Sequence, residues 1–206
     1  MPFVIAVTGG SGSGKSFLAK AISYNLNIPV SIYSYDCYYR GHPELPLSER
    51  AKINYDSPAE LDEELYLTHL EAIKRGEKVQ LPQYDFANHL RKKMARAFTP
   101  KEIVIVEGIL TMSVPGAKYD FTIFVDADPD VRLSRRIMRD TAERGRSVQS
   151  VINQYLSSVK PMHEKYIEPH KKEADLVFLN NGGNGIEPEK MAELIAKIKE
   201  AYDSKR

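Results

Sequence analysis

The chain has 206 residues, a length typical of one domain with room for a small insertion or lid. Its 29 basic and 28 acidic residues nearly balance, so net charge does not recruit nucleic acid or a membrane surface. A single cysteine, Cys37, excludes an internal disulfide, and the longest apolar run, 3–7, is too short to cross a bilayer. We therefore expect a soluble cytoplasmic protein without a signal peptide and without a nucleic-acid or membrane partner.

The predicted elements begin with an apolar, β-rich strand at 3–7 that leads directly into glycines. A helix is predicted from Lys15 to about Leu26. Its inner face is predicted to carry Phe17, Leu18, Ala21 and Ile22. The stretch VSIYSYD predicts a second strand that ends in an acid, Asp36.

The middle of the chain is predicted to be irregular. A polar, turn-rich loop is expected at 40–58, followed by a helix from about Ala59 that stops at Gly76. VQLPQYDF is interrupted by Pro82, which favours an edge strand or a hairpin arm. The segment 77–99 is therefore predicted to be a hairpin insertion within a single domain that spans 1–206.

The rest of the chain alternates apolar strands with helices. EIVIVEG, FTIFVDAD and ADLVFL predict strands buried on both faces, as in a parallel sheet. Helices are predicted from Pro129 to about Glu143, with Asp128 as its cap, and from about Pro188 to the end. The last helix is predicted to bury Met191, Leu194, Ile195 and Ile198. This order predicts a doubly wound, mainly parallel α/β sheet flanked by helices.

Polar residues follow four of these strands: Gly9, Asp36, Glu107 and Asp126. In doubly wound sheets, ligands bind at the carboxyl ends of the strands. We therefore expect the four residues to open onto one crevice.

The segment GGSGSGKS has the spacing G-x-x-x-x-G-K-[ST] and lies between a strand and a helix. Glycines let backbone N–H groups surround phosphate oxygens, Lys15 reaches the β- and γ-phosphates, and Ser16 offers a hydroxyl to Mg²⁺. Glu107 is expected to complete the metal site, although a turn-capping role is the alternative. The predicted nucleotide-binding residues are Gly9, Gly10, Ser11, Gly12, Ser13, Gly14, Lys15, Ser16 and Phe17.

This motif predicts a P-loop fold, which several classes of protein share. The N-K-x-D guanine-reading motif of GTPases and the L-S-G-G-Q signature of transporter ATPases are both missing from the sequence. A small-molecule kinase or an ATPase-driven binding module remains.

Arginines are concentrated after Pro129. Those at 132, 135, 136 and 139 mostly share one helix face, and Arg144 and Arg146 follow around Gly145. A solvated charged face is the ordinary interpretation of such a run. Because this helix leaves a strand that should line the crevice, we predict an arginine-rich lid at about 129–150. Arg136, Arg139, Arg144 and Arg146 are assigned to function, and Arg132 and Arg135 are expected at the surface.

From Phe3 to about Gly183 the chain resembles the uridine kinase family, the uridine/cytidine kinases. The motifs that carry the resemblance are GGSGSGKS, YDCYYR, NYDSP, LPQYDF, VEGIL, FVDAD, RLSRRIMRD, ERGRS, QYLSSVKPMHEKYIEP and ADLVF. The departures are Asn181, where the family commonly has arginine, and Cys37, where serine or histidine is usual.

The resemblance implies phosphorylation of the 5′-hydroxyl of uridine or cytidine, with ATP or GTP as donor and Mg²⁺. It assigns Asp36 as general base and Arg139 and Arg144 to the phosphates. The residues that it assigns to the nucleoside are Asp56, Arg136 and Gln154 at the ribose, Tyr84 and His89 at the pyrimidine edge, and Tyr55, Phe86 and Arg146 around the base. It also implies a homotetramer restrained by CTP.

Some alternatives stay open on the residues alone. Asp36, expected at its ordinary pKa, could instead support the metal, and an isolated His89 is more often a surface or core histidine. A kinase of a phosphopentose or of pantothenate and a catalytically silent regulatory protein are the other candidate functions. The intact Lys15, Ser16, Asp36 and Glu107 argue against the silent protein.

Overall fold

The structure is a computed structural model that describes residues 1–182 and 185–206. In chain order its strands are β1 (Phe3–Thr8), β2 (Val30–Ser34), β3 (Val79–Leu81), β4 (Tyr84–Asp85), β5 (Leu90–Arg91), β6 (Arg96–Phe98), β7 (Ile103–Glu107), β8 (Phe121–Asp126) and β9 (Leu176–Leu179). Five of them form a parallel sheet with the order β2-β7-β1-β8-β9. The predicted parallel α/β sheet is therefore confirmed.

The helices are α1 (Lys15–Asn25), α2 (Leu47–Arg50), α3 (Glu63–Lys74), α4 (Pro129–Arg144), α5 (Val148–Gln154), α6 (Lys160–Met162) and α7 (Pro188–Asp203). Between α5 and the turn Glu168–Lys172, two π-helical segments, Tyr155–Val159 and His163–Ile167, flank α6. None of the helices in the described part of the chain is both long and apolar enough to span a membrane.

Two apolar layers cover the sheet because its central strands point side chains alternately to either face. Ile5 and Val7 of β1 pack against α1 and α7, whereas Val4 and Ala6 face α3 and the hairpin insertion. As predicted, α7 buries Met191, Leu194, Ile195 and Ile198.

The insertion consists of two small antiparallel ladders, β3 with β6 and β4 with β5, and Pro82 lies in the break between β3 and β4. Arg91 ties this insertion to the rest of the domain. Its Nη1 lies 2.8 Å from Asp62 Oδ2, and its Nη2 donates to the Tyr38 carbonyl at 2.8 Å. The base of the insertion is thereby fixed beside the end of β2.

Several local predictions were wrong. Phe17 is 53% exposed, and α1 instead buries Lys15, Leu18, Ala19 and Ile22. The helix starts at Lys15, whose side chain turns inward, and a residue two positions later points about 200° away around the helix axis. The predicted inward position of Phe17 was incompatible with that start.

The helix predicted from about Ala59 begins later than expected. Residues Pro58–Glu60 form a 3₁₀ turn, and α3 starts at Glu63 because the Asp62 side chain accepts a bond from the Leu65 N–H at 3.3 Å. As predicted, the helix ends before Gly76, and Gly76 itself adopts φ 82°.

Two acids at element ends also differ from expectation. Asp36 lies in a 3₁₀ turn, Tyr35–Tyr38, rather than in β2. Asp128 is the residue before α4, but its side chain makes no capping hydrogen bond within the described residues.

Candidate active site

The loop between β1 and α1 has the geometry of a phosphate cradle. Gly12 and Gly14 have φ values of 84° and 95°, in the left-handed region that favours glycine. A Cβ on Gly12 would overlap the carbonyl oxygen of Arg132, so the backbone of α4 approaches the loop closely only because that residue is glycine. The loop ends at the N-terminus of α1, where free N–H groups and the helix dipole favour an anion.

Lys15 lies inside this loop, where its Nζ donates to the Gly10 carbonyl at 3.0 Å. Burial lowers the pKa of Lys15, while the nearby carboxylates of Glu107 and Asp36 act to raise it. The ammonium is therefore held between two acids with a backbone carbonyl as its hydrogen-bond partner, a position from which it can turn to a phosphate oxygen.

Oxygen ligands suited to Mg²⁺ lie at the mouth of the loop. Ser16 Oγ donates to Glu107 Oε2 at 2.9 Å, and Asp36 Oδ1 is buried without a hydrogen-bond partner among the described residues. Among the residues that the structure describes, no group of three or more His, Cys, Asp or Glu side chains could hold a metal ion. This donor set fits Mg²⁺, which takes one or two protein carboxylates and completes its shell with water and substrate phosphates.

The pKa of Asp36 differs from the ordinary value that the sequence analysis expected. Burial, followed by the charge of Glu107, raises the pKa of Asp36 to about 7, against the opposing effect of Lys15. The carboxyl group follows β2 directly, and its backbone N–H donates to Ser34 Oγ at 3.3 Å. A carboxylate tuned to this range can accept a proton at neutral pH.

Aromatic side chains from the insertion and from the 40–58 loop form a cluster around Tyr39, three residues after Asp36. The rings of Tyr55 and His89 stack at 4.8 Å with an interplanar angle of 8°, and Tyr84 contacts Phe86 edge-on at 5.1 Å. The hydroxyls of Tyr55 and Tyr84 are buried and lie near enough to shift each other's pKa, and neither makes a hydrogen bond of ordinary geometry within residues 1–182 and 185–206. Such unpaired groups are costly unless a ligand satisfies them.

His89 has an unusual backbone, with φ 50°. Burial, then the charge of Arg50, lowers the pKa of His89, so its imidazole is neutral at physiological pH. Arg50 is itself buried, and it donates through Nε to the Asn88 carbonyl at 3.0 Å and through Nη1 to the Leu45 carbonyl. The sequence analysis missed Arg50, because a lone arginine in a polar loop gives no signal of burial.

A group of polar side chains lies next to the phosphate loop. Arg136 donates from Nη1 to Ser11 Oγ and from Nη2 to Gln154 Oε1, both at 2.7 Å. Arg146 also donates to Gln154 Oε1. Asp56 is buried, which raises its pKa, and the Arg136 guanidinium opposes that rise. The residues that the resemblance assigned to the ribose therefore lie together, next to the phosphate loop.

The arginines of the predicted lid are also close to one another. The Arg144 guanidinium lies over the Phe86 ring, 5.6 Å from its centroid. This contact connects the predicted lid to the aromatic cluster. Arg136, Arg139, Arg144 and Arg146 all lie within ion-pair distance of one buried carboxylate, Asp140. The sequence analysis did not identify Asp140, since an acid among arginines on a helix is usually a surface ion pair.

The expectation that Arg132 is a surface residue was wrong, whereas Arg135 is half-buried. Arg132 is 6% exposed, packs its guanidinium against Gly10 and donates from Nε to the Ala127 carbonyl at 2.9 Å. Arg135 donates from Nη1 to the Asn180 carbonyl at 2.9 Å, which attaches α4 to the loop after β9. Both are anchored because α4 crosses directly beside the phosphate loop.

The loop after β9 contains two of the residues considered above. Asn181 Oδ1 accepts the Asp128 N–H at 2.8 Å, which ties this loop to the residue that precedes α4. The neighbouring Asn180 donates from Nδ2 to the Ser13 carbonyl at 2.7 Å. Gly183, where the sequence resemblance ends, lies outside the described residues.

Asp126, the remaining strand-end residue, has a different partner from the others. Its Oδ2 lies 2.7 Å from Lys171 Nζ. It thus ties the strand end to the turn Glu168–Lys172 and does not contribute to the Ser16 and Glu107 pair.

Residues 4–187 match the model of the Phosphoribulokinase / Uridine kinase family. The chain belongs to this family. It is 44% identical over 202 residues to a uridine kinase of Clostridium perfringens, covering 97% of this chain and 96% of that protein. It is 43% identical over 186 residues to a uridine kinase of Staphylococcus epidermidis, covering 89% and 90%.

Among solved structures, a phosphoribulokinase from Rhodobacter spheroides superposes with a TM-score of 0.62 at 18% identity, covering 86% of this chain and 70% of that one. At this identity the likeness concerns the fold. The family is thus one of P-loop kinases, and this member has the parallel sheet with the phosphate loop between β1 and α1.

Proposed function

We propose that this kinase transfers the terminal phosphoryl group of ATP or GTP to the 5′-hydroxyl of uridine and cytidine. The observation that carries the proposal is the aromatic cluster of Tyr55, Tyr84, Phe86 and His89, which is built around Tyr39, three residues after Asp36, and encloses the buried hydroxyls of Tyr55 and Tyr84. Family membership and relatives called uridine kinase support the same assignment.

In the proposed reaction, Asp36 orients the 5′-hydroxyl and accepts its proton as the new bond to phosphorus forms. Phosphoryl transfer passes through a loose transition state, so positioning and charge neutralisation matter more than early proton removal. Lys15 and the lid residues Arg139 and Arg144 balance the charge on the transferring group. Ser16 and Glu107 would hold Mg²⁺, which supplies further neutralisation at the β- and γ-phosphates.

The nucleoside would be held by two groups of contacts. Asp56 and Arg136 bind the ribose hydroxyls with help from Gln154, and Arg146 closes the base pocket from the lid side. The proposal further includes a homotetramer and feedback inhibition by CTP, both of which rest on the family resemblance.

A panel of acceptors tests the proposal. Uridine, cytidine, a phosphopentose and pantothenate are offered with Mg²⁺ and ATP, and product formation is followed by coupled ADP release. The two nucleosides are expected to be turned over, whereas the other two acceptors are not, because neither a phosphopentose nor pantothenate offers an aromatic ring to the side chains of Tyr55, Phe86 and His89. Turnover of a phosphopentose or pantothenate without turnover of uridine would refute the proposed acceptor.

Ribonucleosides are expected to be preferred over 2′-deoxynucleosides by about tenfold or more, since a buried acceptor left without its donor costs on the order of 1–3 kcal/mol. Asp56 is the buried acceptor. The measurement is kcat/KM for cytidine and 2′-deoxycytidine, in the wild type and in Asp56→Asn. The variant should lose most of the preference. Equal efficiency on the two substrates in the wild type would remove Asp56 from the ribose site.

Uridine and cytidine are expected to be accepted within roughly tenfold of each other, because neither Tyr84 nor a neutral His89 imposes one hydrogen-bond polarity. His89→Leu should lower kcat/KM for both nucleosides, since either base loses a partner. His170→Leu, on the turn Glu168–Lys172, is the control and should behave as wild type. A wild-type ratio of kcat/KM between uridine and cytidine beyond about a hundredfold, which corresponds to two mismatched groups, would contradict this base-reading role. Wild-type kcat/KM in His89→Leu would contradict it as well.

A further inference from the structure

Asp140 is the most completely enclosed charged side chain of the lid, with 0% of its surface exposed. It lies on α4, one turn after Arg136 and one turn before Arg144. Its backbone carbonyl accepts the N–H groups of Gly145 and Arg146, the latter at 3.1 Å, where Gly145 adopts φ 63°. The backbone carbonyl at this position therefore ends α4 at the bend before Arg146, and the side-chain carboxylate is free for other contacts.

The two carboxylate oxygens of Asp140 contact different arginines. Oδ1 accepts from Arg139 Nε at 2.9 Å and lies 3.5 Å from Arg144 Nη1. Oδ2 lies 3.5 Å from Arg146 Nη1 and 3.7 Å from Arg136 Nε. The first pair is proposed above to face the phosphates, and the second pair shares Gln154 at the nucleoside.

This arrangement has a physical consequence. Four guanidinium groups within reach of one another repel, and one buried carboxylate compensates only part of their charge. The cluster keeps an excess of positive charge, which suits a site that receives a polyphosphate. Arg139 is hydrogen-bonded to this carboxylate, whereas Oδ2 makes no hydrogen bond among the described residues and acts on Arg136 and Arg146 through its charge, so the carboxylate joins the two pairs electrostatically.

We propose that Asp140 is a positioning residue that couples the nucleoside-binding pair, Arg136 and Arg146, to the phosphate-binding pair, Arg139 and Arg144. It acts through these arginines and does not itself touch the substrates. This inference rests on the proposed function for the identity of the acceptor and for the roles of the two arginine pairs.

The first test is a double-mutant cycle of Asp140→Asn and Arg139→Gln, with kcat for uridine as readout. Asp140→Asn should lower kcat by about tenfold or more. The kcat of the double variant should lie within about threefold of the kcat of the less active single variant, because the effects of residues that act as one unit are not additive. Glu143→Gln, an exposed acid near the end of the same helix, is the control and should keep wild-type kcat. Asp140→Glu retains the charge and should recover part of the lost rate.

Effects that multiply in the double variant would overturn the inference, because a residue that merely stabilises the fold lowers the rate independently of Arg139. So would an Asp140→Asn enzyme with wild-type kcat.

A second readout does not depend on the acceptor. Trypsin should cut after Arg144 and Arg146 about tenfold faster in Asp140→Asn than in the wild type or Glu143→Gln, because the anchored end of α4 becomes locally free. Unchanged cleavage would overturn the positioning role even if uridine proves not to be the substrate. Conversely, faster cleavage with no turnover of uridine by the wild type would refute only the proposed function.

Discussion

Replacement of Lys15 by methionine is expected to abolish phosphoryl transfer while the protein remains folded. Lys15 is the ammonium inside the phosphate loop, and its Nζ donates to the Gly10 carbonyl and feels the charges of Glu107 and Asp36. Methionine keeps the unbranched stem that fills this space but cannot neutralise phosphate charge. Removal of one such electrostatic contact lowers kcat by about 10²–10³-fold, and more where the group is a full charge.

The measurement is steady-state kcat with uridine and Mg·ATP, together with thermal melting. Lys20→Met, an exposed lysine on the same helix, is the matched control and should retain full activity. Full kinase activity in Lys15→Met would show that the glycine loop does not hold the donor phosphates.

Asp36→Asn is expected to lower kcat by about 10²–10⁴-fold, the range typical of a lost general base, with little change in uridine KM. The amide keeps the shape of the side chain but cannot accept the proton. Its charge is already disfavoured by burial and by Glu107, so removing it relieves an electrostatic cost. At pH 8, where Asp36 is ionised in the wild type, the variant should melt at or above the wild-type temperature.

The pH dependence separates this role from simple binding. Burial raises the pKa of Asp36 to about 7, so the reactive carboxylate is lost as the pH falls through that value. Wild-type kcat/KM, which reports the free enzyme, should therefore decline below about pH 7, and the acidic limb should be missing in Asp36→Asn. A variant whose only defect is a higher uridine KM would move Asp36 from chemistry to recognition.

The fold was predictable because its signals are local and redundant. Uninterrupted apolar runs at β1, β7 and β8 indicate buried parallel strands, and the glycine motif between a strand and a helix fixes where α1 begins. The insertion was foreseeable from Pro82, which cannot lie in the interior of a sheet.

The parts that were missed depend on packing between distant segments. The burial of Arg132 arises from α4 crossing the phosphate loop, and that of Arg50 from the insertion closing over the 40–58 loop. Asp140 lies within ion-pair distance of arginines on its own helix and of Arg146 beyond Gly145. The spacing of residues along one helix cannot predict the second contact. In each case a charged residue is buried by tertiary structure, against its intrinsic preference for the surface.

The regiochemistry of the product tests the central claim most directly. Uridine is incubated with the enzyme, Mg²⁺ and ATP, and the product is examined by ³¹P NMR with proton coupling. We expect uridine 5′-monophosphate, whose phosphorus couples to the two protons on C5′ and gives a triplet. A doublet from a 2′- or 3′-phosphate, or no phosphorylated uridine at all, would contradict the account in which Asp36 aligns the 5′-hydroxyl with the phosphate loop.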